Sequence, residues 1–253
     1  MRTVRATRYL TPLREGGSVP AIIEADDSGT YVVKFRGAAQ GSRALIAEVI
    51  GGELARVLGL PVPQLVAIDV DVVLARSEPD PEIQATLKAS GGINIGLDYL
   101  PGALNWEPVM PRVDAALAAR IVWFDALISN VDRTAKNPNM LRWHKQLYLI
   151  DHGAALYFHH DWPNRAAKAR LPFAPIAQHA LLGVAGSLLD ADTALAPLVT
   201  MDALRAILAD VPDDYLTAEP TPAATREAYL AYFAERLAAP RAFVEEAERV
   251  RIG

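Results

Sequence analysis

The sequence predicts a bilobal α+β protein, with a β-rich first hundred residues carrying one helix and a mostly helical remainder. Three observations carry that expectation. Alternating or continuous apolar runs bounded by turn residues recur between residues 7 and 99, with one segment of helical period among them. A Pro101-Gly102 pair then interrupts the chain. Beyond it, most apolar residues repeat at helical spacing. The boundary is drawn after Tyr99, giving segments 1–99 and 100–253.

Taken in order, "TRYLTPL" reads as a short strand that "REGGSVP" breaks. "AIIEADDSGTYVVKF" reads as a β-hairpin, because Asp26-Asp27-Ser28-Gly29 is turn chemistry between two β-prone runs. In "GAAQGSRALIAEVIGGELARVLGLPVP", Ile46, Val49, Ile50, Leu54 and Val57 share one helical face, and Gly59 and Pro61 end the helix. "QLVAIDVDVVLA" returns to strand, and "SEPDPEIQATLKASGG" is a surface excursion with a short helix. "INIGLDYL" is the fifth strand. The second segment opens with a helix from Val113 to Ser129, apolar nearly all round and therefore buried on most sides. "NMLRWHKQLYLIDHG" reads as a hairpin turning at Lys145-Gln146. From Leu171 on, "APIAQHALLGVAGSLLD", "MDALRAILADV" and "TREAYLAYFAERLAAPRAFVEEAERV" read as helical.

Composition narrows the function. A chain of 253 residues with 51% hydrophobic content can bury a proper core. The formal charge of −5 gives no basis for phosphate-backbone affinity, so no nucleic-acid partner is expected. With 0 cysteines there are no disulfides, thiolate metal sites or cysteine nucleophiles, and the 5 histidines form no HExxH pair. No run reaches the roughly eighteen apolar residues of a membrane span, and "MRTVRATRYLTPLREGG" has no signal-peptide core. The expectation is a cytoplasmic protein with no membrane partner.

The chemistry concentrates in "LISNVDRTAKNPNMLRW". Asn130, Asp132, Arg133, Lys136, Asn137 and Asn139 gather there between two apolar segments, and "LID" then delivers Asp151 at a strand end. Phosphoryl transfer from ATP needs a carboxylate at the acceptor hydroxyl and oxygen ligands for Mg²⁺. An Asp-x4-Asn loop followed by a hairpin bearing a second Asp supplies both. Upstream, Lys34 is a charged residue in the apolar strand "TYVVKF", where it can meet α- and β-phosphates and pair with a helix glutamate. Strand Lys, helix Glu, hinge, buried helix, Asp-x4-Asn and Asp-x-Gly is the linear order of a kinase-like fold.

On "AEVIGGELARVLGLPVP", "GLDYLPGAL", "FDALISNVDRTAKNPNML" and "LYLIDHG", the chain resembles the HipA-like kinases. The resemblance implies transfer of the ATP γ-phosphoryl group, in the toxin members to a serine or threonine of a protein. It implies Asp132 as catalytic base, Asn137 and Asp151 as Mg²⁺ ligands, Lys34 on the phosphates paired with Glu48, and Gly96, Leu97, Asp98 and Tyr99 as the hinge beside adenine. Two departures stand out. Thr134 occupies the position where many relatives carry a His, and only some thirty residues precede Lys34, so the extra N-terminal subdomain of the long toxin kinases is not expected.

Several assignments stay open on the sequence. Glu53 rivals Glu48, since it falls within the apolar stripe, where an unpaired carboxylate is costly. The turn over the phosphates is either Gly16, Gly17 and Ser18 or the stretch Gly37 to Arg43, which leads into a helix N-terminus, or neither. Lys136 either contacts the γ-phosphate or points into water. Asp125, inside "VWFDALI", reads as a brace for the catalytic loop, and Trp123, Phe124 and Tyr99 read as core or adenine-pocket walls. His159-His160 reads as a surface-loop pair. The rivals to a protein kinase are a small-molecule kinase and a non-catalytic nucleotide-binding module.

Overall fold

The computed structural model describes residues 1–14, 19–38, 40–108 and 113–253. Five strands of the first segment close on themselves: β1 (Arg2–Pro12), β2 (Ala21–Ala25), β3 (Thr30–Lys34), β4 (Leu65–Val70) and β5 (Gly92–Asp98). Their order round the barrel is β1-β2-β3-β5-β4, with β4 returning parallel to β1 and all other pairs antiparallel. Closure gives each strand an inner face. Val4, Ala6, Ile23, Tyr31, Val33, Val66 and Ile68 fill it, while Lys34 is one residue on from inward-facing Val33 and so points out of the barrel.

Helix α1 (Gly41–Val57) lies against this barrel and is buried from Leu45 to Ala55 on every side but Glu53. The single stripe expected from the sequence is therefore too narrow. Small residues on the far face, Ala47, Gly51 and Ala55, let a second layer approach. Gly59, at φ +66°, stops the helix just past its C-cap, Leu58. After β4, Asp71 caps a 3₁₀ turn over Val72–Ser77, so the strand expected to run to Ala75 ends at Val70. Helix α2 (Pro81–Lys88) follows, capped by Asp80.

Helix α3 (Ala115–Leu127) is N-capped by Asp114 and buried from Ala118 onward except at Arg120, and with α1 it forms the centre of the larger core. Strands β6 (Leu104–Asn105), β7 (Met140–Trp143) and β8 (Gln146–Leu149) make a small sheet beside it. The β7–β8 turn is His144-Lys145, both at positive φ (46° and 67°), one residue earlier than expected and matching the twist of a tight hairpin.

The remainder comprises α4 (Arg165–Ala169), α5 (Leu188–Leu195), α6 (Met201–Ala209), α7 (Pro222–Leu237) and α8 (Ala242–Ile252). The run "APIAQHALLGVAG" is not α-helix. It forms 3₁₀ turns at Ala174–Gln178 and Leu182–Val184, and α5 starts only after Ser187 caps it. Pro240, with no N–H and a restricted neighbour, divides the last expected helix into α7 and α8. Among the described residues, no helix is long and apolar enough to cross a membrane.

Candidate active site

Three elements converge on Lys34 at the end of β3. Its ammonium donates to Glu48 Oε1 on α1 and, at 2.5 Å, to Oδ1 of Asp151, just past β8. Glu53 is elsewhere, pairing with Arg56 at 3.3 Å, so the helix partner of Lys34 is Glu48. Burial by itself would lower the lysine pKa, but two carboxylates outweigh it and the ammonium is held above its usual range. Burial raises Glu48, which Lys34 only partly offsets, whereas Lys34 overcomes burial at Asp151 and brings it down to about 2. One ammonium between two carboxylates leaves a formal negative charge at the edge of the cleft. Asp151, at φ 56°, keeps 42% of its side chain exposed there.

The loop after α3 divides its polar groups between inside and outside. Asp125, fully buried, accepts from Asn130 Nδ2 at 2.9 Å, from Arg133 Nε at 2.6 Å and from His179 Nε2 at 2.9 Å. Burial alone would raise this carboxyl, but the Arg133 guanidinium and His179 hold it well below the usual range. His179 Nδ1 accepts from the Leu181 N–H, so Nε2 carries the proton that goes to Asp125. The brace expected of Asp125 is thus built, with two members the sequence did not suggest. Arg133 also donates to the carbonyls of Asn139 and, at 3.3 Å, Ile150, which ties the loop to the residue before Asp151.

Facing outward, Asp132 Oδ2 accepts from Asn137 Nδ2 at 2.8 Å and from Asn139 Nδ2 at 3.1 Å. With its nitrogen committed to a carboxylate, Asn137 turns its amide oxygen the other way. Lys136 is exposed on the same loop and makes no ion pair among the described residues. Asp132, Lys136, Asn137, Asn139, Asp151 and Lys34 all line one cleft of about 1310 Å³ between the barrel and the small sheet.

Leu97, Asp98 and Tyr99 line that cleft too, next to Val32. Gly96 does not. A Cβ there would sit 2.9 Å from Val66 and 3.2 Å from Tyr31, inside the barrel, because alternation along β5 turns it away from Leu97. The N–H groups of Asp98 and Tyr99 donate to the carbonyls of Gln64 and Thr30. Gly16, Gly17 and Ser18 lie outside the described residues. Arg14 and Pro20, nearer the strands on either side, line the cleft. In the rival turn, the Gly37 N–H already donates to Ser90 Oγ at 3.1 Å, which removes it as an anion ligand.

Trp123 and Phe124 are core, and Tyr99 is a cleft wall. One histidine differs from expectation. His159 is buried rather than on a surface loop, with Nδ1 against the Tyr229 hydroxyl at 3.2 Å. His152 is buried between Phe124 and Gly51, and burial, with Arg133 nearby, lowers it to about 3.

A sequence model of the HipA-like kinases matches residues 7–241. The chain belongs to the HipA-like kinase family. Its fold is similar to that of a solved Helicobacter pylori proinflammatory kinase, CtkA, at a TM-score of 0.56 and 15% identity, covering 92% of this kinase and 94% of that chain. A Golgi casein kinase aligns at a TM-score of 0.49 and 13% identity over 98% of this kinase and 72% of that chain. No curated protein matches the sequence. Kinase-like architecture with mixed helix and strand therefore stands on the structural likeness to CtkA, and family membership on the sequence match.

Proposed function

We propose that this kinase is ATP- and Mg²⁺-dependent and transfers the γ-phosphoryl group to a hydroxyl, with serine or threonine of a protein as the favoured acceptor. ATP would lie between the lobes, residues 1–99 and 100–253, with adenine against Leu97 and Tyr99. The observation that carries the reading is that the Lys34–Glu48–Asp151 triad and the Asp132–Asn137 pair open onto one cleft. Oxygen donors at Asn137 and a half-exposed, ionised Asp151 suit a hard divalent cation, as does the excess negative charge around Lys34. When bound, the metal supplies charge neutralisation at the phosphates.

In this mechanism the acceptor oxygen attacks the γ-phosphorus while Asp132 takes the hydroxyl proton. The bond from γ-phosphorus to the β–γ bridging oxygen breaks and ADP leaves. Lys34 donates to phosphate oxygens, and Glu48 holds it in place. Transfer in this reading is direct, without a covalent enzyme intermediate.

The two aspartates have separable roles, and that is the test. Asp132→Asn keeps shape and loses the proton acceptor, so turnover falls by about 10² to 10⁴ while Mg·ATP affinity stays near wild type. Asp151→Asn removes charge from the metal side, so both fall. Calorimetric titration of Mg·ATP beside a single-turnover assay reads the two. Equal loss of binding in both variants would reject the assignment, and normal turnover by Asp132→Asn would reject Asp132 as base.

A further inference from the structure

Resting on the kinase reading above, we propose that Asn139 is a positioning residue that selects which oxygen of Asp132 receives the acceptor proton. A carboxylate oxygen has two lone pairs. Both on Asp132 Oδ2 are taken, by the amide nitrogens of Asn137 and Asn139 at 2.8 and 3.1 Å. An ionised carboxylate only accepts, so both amides must present nitrogen, and the orientation of each is fixed by chemistry. Among the described residues, Oδ1 accepts no hydrogen bond. Oδ1 is therefore the oxygen that takes the proton as the acceptor oxygen bonds to phosphorus and ADP departs.

The two asparagines are not equivalent. Asn137 sits on an exposed loop and also carries an oxygen suited to the metal, so its grip on Oδ2 shares the residue with another task. Asn139 is held at both ends. It stands at φ +48°, immediately before β7, and its carbonyl accepts from Arg133 Nη1 and, at 3.0 Å, from the Ile150 N–H. The amide of Asn139 is thus fixed to the frame that carries Asp151, and it keeps Asp132 from rotating about its terminal torsion, a soft one.

Asparagine also tolerates a left-handed backbone, and that need alone could account for the residue. Asn139→Gly keeps the backbone and removes the amide, and Asn139→Asp keeps the shape but sets a carboxylate against Asp132. In single-turnover transfer from γ-labelled ATP, with water as acceptor where no other serves, Asn139→Gly should lose about 10²-fold in rate, the scale of a misplaced catalytic group. Asn139→Asp should lose more. The KM for ATP should stay within about twofold of wild type in Asn139→Gly, as expected when transition-state positioning alone is lost. In an Asp132→Asn background, Asn139→Gly should cause no further loss. An unchanged rate in Asn139→Gly, or the same fold-loss in both backgrounds, would overturn the proposal. If the wild-type protein transfers nothing, the kinase reading fails by itself, and side-chain amide NMR still tests the contact: the Asn139 Nδ2 protons must shift in Asp132→Ala, and unmoved resonances would overturn it.

Discussion

Lys34→Met is expected to cost stability as well as turnover, and the cost should depend on pH. In the folded protein the ammonium touches two carboxylates, one of them, Glu48, with no exposure at all and with Oε2 making no hydrogen bond among the described residues. Methionine fills the stem but leaves a buried carboxylate unpaired, which costs about 3–5 kcal/mol. The relief open to Glu48 is to take a proton. Burial already raises its pKa, and loss of Lys34 removes the main opposing influence. A carboxyl whose folded pKa lies above its unfolded value of 4.5 binds more protons folded than unfolded between those limits. Stability then falls as pH rises through that window, by up to about 1.4 kcal/mol per pH unit. The gap between Lys34→Met and wild type should therefore be wide at pH 8 and shrink towards pH 5. Adding Glu48→Gln should recover most of the stability at pH 8 and none of the phosphoryl transfer. Urea unfolding at three pH values, with the slope checked for constancy, measures all of this. A Lys34→Met protein as stable as wild type at pH 8, or a gap independent of pH, would refute the reasoning.

Two further outcomes follow from the packing around His152 and His159. Both are held neutral by burial, with folded pKa values of about 3 against 6.5 unfolded, so the unfolded chain binds protons that the folded chain does not. Stability should drop as pH falls below 6.5, by about 2 kcal/mol for each histidine between pH 7 and 5, and a flat unfolding midpoint over that range would contradict it. Gly51→Ala should destabilise, although alanine normally improves a helix interior by about 1 kcal/mol. Its Cβ would meet His152 Cβ at 2.7 Å, an overpacking worth about 1–3 kcal/mol, and a raised melting temperature would show that the two backbones can separate freely.

What was legible in the sequence was local. Asp132, Asn137 and Asp151 fall within a short stretch whose polar residues interrupt two apolar runs, and the β3 lysine and α1 glutamate follow in a recognisable order. The choice between Glu48 and Glu53 was not decidable from one apolar stripe, because α1 is wedged between barrel and helices and has no solvent face along most of its length. Gly96 was misplaced for a related reason. The strand pattern shows two faces, but only closure of the barrel makes the Gly96 face an interior one, crowded by Tyr31 from the facing strand. His179 lies 54 residues beyond Asp125 in a segment of 3₁₀ turns with no motif of its own, and His159 is buried against Tyr229 of α7, 70 residues on. Contacts made at such separation leave no periodicity to read.

Arg133 shows how those unreadable contacts govern the readable ones. Next to Asp132 in sequence, it points the opposite way and is buried. One guanidinium meets Asp125 on α3, the Asn139 carbonyl in the loop and the Ile150 carbonyl ahead of Asp151. Arg is suited to this because its five donors lie in one rigid plane, whereas a lysine could swing among the same acceptors. A buried ion pair is weak evidence of net stabilisation, so its contribution here is better understood as geometry. It ties the loop that carries the proposed base to the turn that carries the proposed metal ligand, while Asn137 and Asn139 hold the Asp132 carboxylate and Lys34 holds that of Asp151. The polar cluster between the two apolar segments therefore does two things at once. Asn130 and Arg133 satisfy a buried carboxylate, and because they do, Asp132, Asn137 and Asn139 are left facing outward at a fixed distance from Lys34 and Asp151.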